Sequence, residues 1–231
     1  MITVENITKV FGGTGTSDEV HALAGISLHI REGEFVSIVG PSGSGKSTLL
    51  FAMGGLSEPT TGEVRLGAQS IYALDAAGRA ALRRTEIGFV FQTFNLVPYL
   101  ECLENVALPA ILAGRPRAKA REAAAAMLDR LGLSARARHL PAQLSVGERQ
   151  RVGIGRALVN GPKVLLADEP TGNLDPALAG SVLDLLLELR NGGQTIAMVT
   201  HDPGLAARTD RTIVLNAGKI AEERPDEEVA A

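Results

Sequence analysis

The stretch Gly40-Pro41-Ser42-Gly43-Ser44-Gly45-Lys46-Ser47-Thr48 constrains this chain more than any other, because it follows the apolar run 35–39 and opens a helical-looking run over 49–56. Strand, glycine-rich turn and helix in that order aim successive backbone N–H groups and a helix N-terminus at one anion, since glycine lets the backbone fold back. The ligand this predicts is a nucleoside triphosphate. Lys46 would reach its outer phosphates as a point charge, and the Ser47 hydroxyl would complete the coordination of Mg²⁺.

The 231 residues suffice for one large domain with a subdomain inserted in it, but leave no room for a second nucleotide-binding domain. A formal charge of −3, with no basic stripe interleaved with aromatics, disfavours nucleic acid as a partner. Cys102 is the single cysteine, so no internal disulfide is expected; it reads as a lone buried thiol in a reducing compartment. The N-terminus shows no charged region followed by an apolar core, and no apolar run approaches the roughly eighteen residues that cross a bilayer. No direct membrane insertion is expected, and any link to a membrane would come through a partner.

Alternating apolar and polar residues over 2–10 and 26–30 predict half-buried antiparallel strands, with a glycine-rich loop over 12–19 between them. Phe11 stands at the entrance of that loop, where it could stack on a base or simply pack. A short strand over 63–66, a polar helix over 75–84 and a buried strand over 87–91 ending at Gln92 come next. Helical patterns over 101–113, 116–131 and 147–159 form an insertion spanning roughly 94–160. Apolar strands over 164–167 and 196–200 are joined by a helix with Leu183, Leu186 and Leu187 on one face, as in a crossover packed on a parallel sheet. A last core strand over 211–215 leads into a hairpin turn at 216–219, and the charged tail from Glu222 is expected to be disordered. The fold class is therefore α/β, with a parallel sheet core, an antiparallel β-subdomain on the N-terminal side and an inserted α-helical subdomain. One domain over 1–222 would be followed by a tail over 223–231.

Ligands of open α/β sheets sit beyond the carboxyl ends of the strands, and three strands here end in polar groups: the phosphate loop, Asp168-Glu169 and His201. Asp168 is a candidate Mg²⁺ ligand opposite Ser47, because a hard cation takes oxygen donors. Glu169, one residue further, is placed to accept a proton from an attacking water. His201 would hydrogen-bond the γ-phosphate or orient that water, although a lone His at a strand end is more often a cap. Gln92 is similarly placed to touch metal or water. The stretch Leu144-Ser145-Val146-Gly147-Glu148 reads either as an ordinary helix cap or as a second anion site in the same chain. One nucleotide needs one cradle, so a second suggests that the nucleotide is shared between two copies.

Together these motifs resemble the nucleotide-binding subunit of ATP-binding-cassette transporters. The phosphate loop Gly40 to Thr48, Gln92 as the Q-loop, the signature 144–148, the acidic pair Asp168-Glu169, the D-loop Asn173-Leu174-Asp175 and His201 as the switch histidine stand in the family's order. The wording of 88–98, 104–109 and 167–175 is similar to the group of MacB, LolD and FtsE, and polar amino-acid importers share much of it. The resemblance implies a P-loop NTPase (RecA-like) core, ATP and Mg²⁺, and hydrolysis with Lys46, Glu169, His201 and Gln92 as catalytic groups. It implies a head-to-tail homodimer in which the signature residues Ser145, Gly147 and Glu148 and the D-loop Asp175 meet the nucleotide, with Phe11 against the adenine. It implies a membrane permease as partner, hence a cytoplasmic location at the inner face of the membrane. Some of Phe94, Leu96, Val97, Tyr99 and Leu100 would either face a groove for a helix of that permease or simply pack the helical insertion. An importer ATPase, or an ATP-gated regulator without transport, is the alternative implied. Val146 departs from the glycine usual in the signature, and a valine resists positive φ, so it must lie in an ordinary region or strain the loop.

Overall fold

The computed structural model describes residues 1–12 and 19–225. In chain order its first elements are β1 (Ile2–Phe11), β2 (Val20–Ile30), β3 (Phe35–Val39), α1 (Lys46–Met53), β4 (Thr61–Leu66), β5 (Gln69–Ser70), α2 (Ala76–Thr85) and β6 (Ile87–Phe91). There follow α3 (Cys102–Leu112), α4 (Arg117–Arg130), α5 (Val146–Leu158), β7 (Val164–Asp168), α6 (Pro176–Asn191), β8 (Thr195–Val199), α7 (Pro203–Ala206), β9 (Arg211–Asn216) and β10 (Lys219–Pro225). The chain divides into two compact units, Met1–Arg79 with Leu187–Ala231, and Ala80–Leu186.

The first unit carries an antiparallel sheet in the order β2-β1-β4-β5. Ile2 and Val4 are buried and Glu5 is exposed, as the alternation requires. Register shifts between Val4 and Ile7 and between Lys9 and Val10 break that alternation. They explain why β2 begins at Val20 although only its second half reads as a strand in the sequence.

The unit's other strands surround β3, whose Phe35, Val36, Ser37 and Ile38 are buried, as a strand covered on both faces must be. It pairs in parallel with β8 on one side and β9 on the other. Strand β10 returns antiparallel on β9 through a turn at Ala217 (φ 47) and Gly218 (φ 73), the two left-handed residues a tight hairpin needs. The tail expected from Glu222 onward is corrected here. Residues 222–225 lie in β10, with Glu223 opposite Ile213 and its carboxylate 2.8 Å from Arg211. Their charges mark an edge strand rather than an unstructured end. The rest of the tail lies outside the described residues.

The second unit holds the parallel pair β6 and β7 and three helices packed together. Val106 and Ala110 of α3, Ala120, Ala124 and Leu128 of α4, and Val152 of α5 share one apolar core; small alanines on the facing stripe let the helices approach. Cys102 lies in that core with its thiol donating to the His139 carbonyl at 3.1 Å, and burial raises its pKa. Asn105 is fully buried and satisfied. Its amide donates to the Val97 and Leu100 carbonyls at 3.1 and 2.9 Å and its oxygen accepts from Val97 N–H at 2.8 Å. That single side chain pins residues 97–100, the segment following Gln92. Among the described residues no helix is long and apolar enough to cross a membrane.

Candidate functional site

In the first unit the phosphate loop leaves β3 and closes on the N-terminus of α1. Gly40 (φ 149), Gly43 (φ 77) and Gly45 (φ 100) all take left-handed backbone. At two of them space is excluded as well: a Cβ on Gly40 would lie 2.1 Å from the Leu215 carbonyl oxygen, and one on Gly45 2.3 Å from that of Ala22. The Gly218 N–H donates to the Ser44 carbonyl at 3.1 Å, so the β9–β10 turn also braces the loop. Lys46 is buried, and its ammonium donates to the Gly40 and Pro41 carbonyls at 2.9 and 3.0 Å. Both acceptors are neutral, so the cradle keeps the whole positive charge for an anion.

Ser44 Oγ is buried in the loop and among the described residues has no hydrogen-bond partner. Such an orphan fits a cradle built for polyanionic oxygens, as does the row of N–H groups at the start of α1. Ser42 and Pro41 stand exposed at the tip, and Ser47 and Thr48 are half-buried in the first turn of α1. Parallel pairing of Ile38 with Val199, and the Thr200 N–H on the Ile38 carbonyl at 3.2 Å, put His201 beside the start of the loop, exposed. Phe11 ends β1 opposite Val20, 46 % exposed, with the Lys9 ammonium 5.0 Å from its ring centroid. The remainder of its glycine-rich loop lies outside the described residues.

In the second unit, Gln92 and the acidic pair come together because β6 and β7 run in parallel with Phe91 opposite Asp168. Glu169 turns off the strand at φ 46, a conformation that costs a non-glycine residue about 1–2 kcal/mol. A Cβ on Gly172 would lie 2.8 Å from Gln92 Nε2 and 3.1 Å from Glu169 Oε2, so both side chains converge on that glycine. The Asn173 amide donates to the Gln92 carbonyl at 3.0 Å, tying the D-loop to the Q-loop. Asp175 caps α6, accepting from Ala177 N–H and Leu178 N–H, each at 3.1 Å.

Ser145 is the N-cap of α5, as its place before a helix predicts. Its hydroxyl accepts from Glu148 N–H at 3.2 Å, and Glu148 returns a carboxylate oxygen to Ser145 N–H at 2.8 Å. The other Glu148 oxygen accepts from Arg136 Nε at 2.8 Å. Arg136, with the Ser145 N–H next, lowers the Glu148 pKa to about 2. Both of its oxygens are thus engaged, and Glu148 supports the serine rather than reaching outward. Val146 is the first helical residue of α5 and has no positive φ, so it takes the ordinary region and introduces no strain. Gly147 is buried where a Cβ would meet Leu178 Cδ2 at 3.0 Å.

The apolar residues after Gln92 do not form one face. Leu96 packs on the helical core and Tyr99 is 78 % exposed. A cavity of about 470 Å³ in this unit lies instead between Arg83, Arg84, Phe89, Leu108, Leu112 and Arg156, and among the described residues no acidic side chain lines it. Arg136 and Arg156 escape sequence reasoning because their partners lie 12 and about 60 residues away and no local pattern marks them.

The family model described as ABC transporter matches residues 23–172. The chain belongs to the ABC transporter family. It is 49 % identical over 222 residues to the lipoprotein-releasing system ATP-binding protein LolD of Paramagnetospirillum magneticum, covering 96 % of this chain and 97 % of that one. It is 48 % identical over 223 residues to the macrolide export ATP-binding/permease protein MacB of Rhodospirillum rubrum, covering 96 % of this chain and 34 % of that protein. The chain thus spans about a third of the length of its MacB and PvdT relatives. Among solved structures, the dimeric post-hydrolysis state of the ATP-binding cassette MJ0796 bound to ADP and Pi superposes with a TM-score of 0.89 at 42 % identity, covering 97 % of this chain and 98 % of that one. The chain is accordingly an ABC cassette on a P-loop NTPase fold.

Proposed function

We propose that two copies of this cassette close head-to-tail around two ATP molecules, open after hydrolysis, and drive an integral membrane permease of the export or lipoprotein-releasing type. One observation carries the reading: the chain has two unlike anion cradles, the glycine loop with Lys46 and the capped α5 terminus with Ser145 and Gly147. The dimeric cassette MJ0796 and the names of MacB and LolD support it. In this scheme the phosphate loop of one copy binds the triphosphate, and Ser145 and Gly147 of the other bind its outer end. Phe11 stacks on the adenine, and Asp175 orders the D-loop at the junction.

Mg²⁺ would be held by Ser47, Asp168 and Gln92, a hydroxyl, a carboxylate and an amide that suit a hard cation, and would neutralise charge on the phosphates. Glu169 takes the proton of the attacking water as the bond between the γ-phosphorus and the bridging oxygen breaks, giving ADP and phosphate. Gln92 and His201 orient the water and the γ-phosphate, and Lys46 stabilises charge on the leaving side. Loss of the γ-phosphate removes what Ser145 and Gly147 hold, so chemistry becomes separation of the copies. The basic cavity of the second unit would seat a permease helix bearing a carboxylate, with the cassette working at the cytoplasmic face of the membrane.

The test is Glu169→Gln, measured by steady-state phosphate release and by light scattering with Mg-ATP. Hydrolysis should fall by about 10²-fold or more, the usual loss of a general base, while ATP binding persists and the dimer accumulates. Turnover near wild type would remove Glu169 as the base, and a monomer at saturating ATP would remove the shared site.

A further inference from the structure

The segment after Gln92 follows a backbone path that its own residues disfavour. Phe94 (φ 53) and Asn95 (φ 50) are both left-handed, where the Cβ of a bulky side chain crowds the following carbonyl. Strained backbone of this kind persists only where its surroundings over-determine it. Here a local bond from the Thr93 hydroxyl to Asn95 Oδ1 at 3.0 Å is joined by one guanidinium from α5. Arg156 Nη2 donates to the Phe94 carbonyl at 2.7 Å, and Nη1 donates to that of Asn95. Two turns earlier on α5, the Arg149 guanidinium lies 5.5 Å from the Phe94 ring centroid. At the other end of the segment the Asn173 amide holds the Gln92 carbonyl, and the Gln92 amide group converges with Glu169 on Gly172.

A guanidinium in this position is an expensive choice if only packing is required. Burial lowers the pKa of Arg156, and among the described residues its hydrogen bonds go to carbonyl oxygens and to no carboxylate. What arginine offers over an apolar side chain is a rigid planar fork that meets two carbonyls at once, which lysine cannot reproduce. The fork engages only the two left-handed residues.

We propose that Arg156 is a positioning residue for Gln92: by forking the Phe94 and Asn95 carbonyls it holds this segment in the left-handed path that keeps the Gln92 side chain beside Glu169. The inference rests on the role given to Gln92 above. It acts chiefly on the catalytic step, because Gln92 meets the metal and the water while the phosphate loop, which holds most of the triphosphate, is untouched.

The experiment is steady-state ATP hydrolysis by the full chain and its Gln92→Ala, Arg156→Met, Arg156→Lys and Arg156→Met/Asn95→Gly variants. Misplacing a catalytic group by an ångström costs up to about 10²-fold, so both single Arg156 variants should lose about tenfold or more in kcat with KM for ATP within about twofold. Glycine takes the left-handed path without penalty, so adding Asn95→Gly should restore at least about threefold of the lost kcat. Should Arg156→Met fail to fold, Arg156→Lys, which keeps the charge and the aliphatic stem, carries the same test. The inference is overturned if Gln92→Ala loses kcat while the Arg156 variants stay within about twofold of wild type. It is overturned equally if Asn95→Gly recovers melting temperature without kcat, which would make Arg156 a brace only. A Gln92→Ala variant at wild-type kcat removes the role of Gln92 itself, and this inference with it.

Discussion

The two candidate anion cradles of this chain are built on opposite principles. In the phosphate loop the work is done by absence: glycines at 40, 43 and 45 remove side chains so that the backbone can turn left-handed, and at 40 and 45 so that carbonyls can approach within 2.1 to 2.3 Å of where a Cβ would be. In the α5 cradle it is done by side chains, with Ser145 and Glu148 in a reciprocal cap and Arg136 behind them. The first carries a buried cation, and the second already has a carboxylate on its own N-terminus, which offsets the positive end of the helix. Of the first N–H groups of α5, those of Val146 and Gly147 are left without an intrahelical acceptor. The loop is thus equipped to bind a polyanion alone, whereas the cap offers a hydroxyl and a few donors to an anion already held elsewhere.

This contrast breaks most severely at Gly45. Gly45→Ala combines a clash with Ala22 and a left-handed φ, and should cost about 2–5 kcal/mol in denaturant unfolding and abolish ATP binding. If it folds and binds normally, the loop is not a backbone device. Ser145→Ala removes only a cap, worth about 1 kcal/mol, and should leave ATP binding intact while ATP-driven dimerisation is lost. Equal damage to binding and to dimerisation would mean that the cradles are not separable.

The pH dependence of the cap sharpens the same point. Glu148 is held at about 2 against an ordinary 4.5, so its contribution is fully present above about 4.5 and disappears as pH falls through about 2. The difference in melting temperature between wild type and Glu148→Gln should shrink over that window, and a difference unchanged down to the lower limit would assign the low pKa to something other than the folded cap. The smallest effect is expected at Val146. Glycine at the first helical position should lower stability by about 0.5–1 kcal/mol, and a gain would reveal strain at the valine.

Much of the site is legible in the sequence because it is local. Gly40 to Thr48, the strand ends at Asp168-Glu169 and His201, and the cap at Ser145 are each written in consecutive residues whose backbone preference and side-chain chemistry agree. Other parts stay hidden. A charged run such as 222–225 looks like tail until β9 offers its edge, and nothing local shows that Asn105 pins residues 97–100 from a neighbouring helix.

By itself the sequence determines most of the strands and helices, the glycine cradle and its lysine, and the polar groups that stand at the strand ends. These depend on φ/ψ preference, periodicity and capping, which act over a few residues. Tertiary structure alone decides that the second Glu148 oxygen meets Arg136, that Val146 is unstrained, and that Arg156 reaches two carbonyls 61 and 62 residues away. Those outcomes turn on which side chains the folded backbone brings within hydrogen-bond distance, and no local preference encodes that distance.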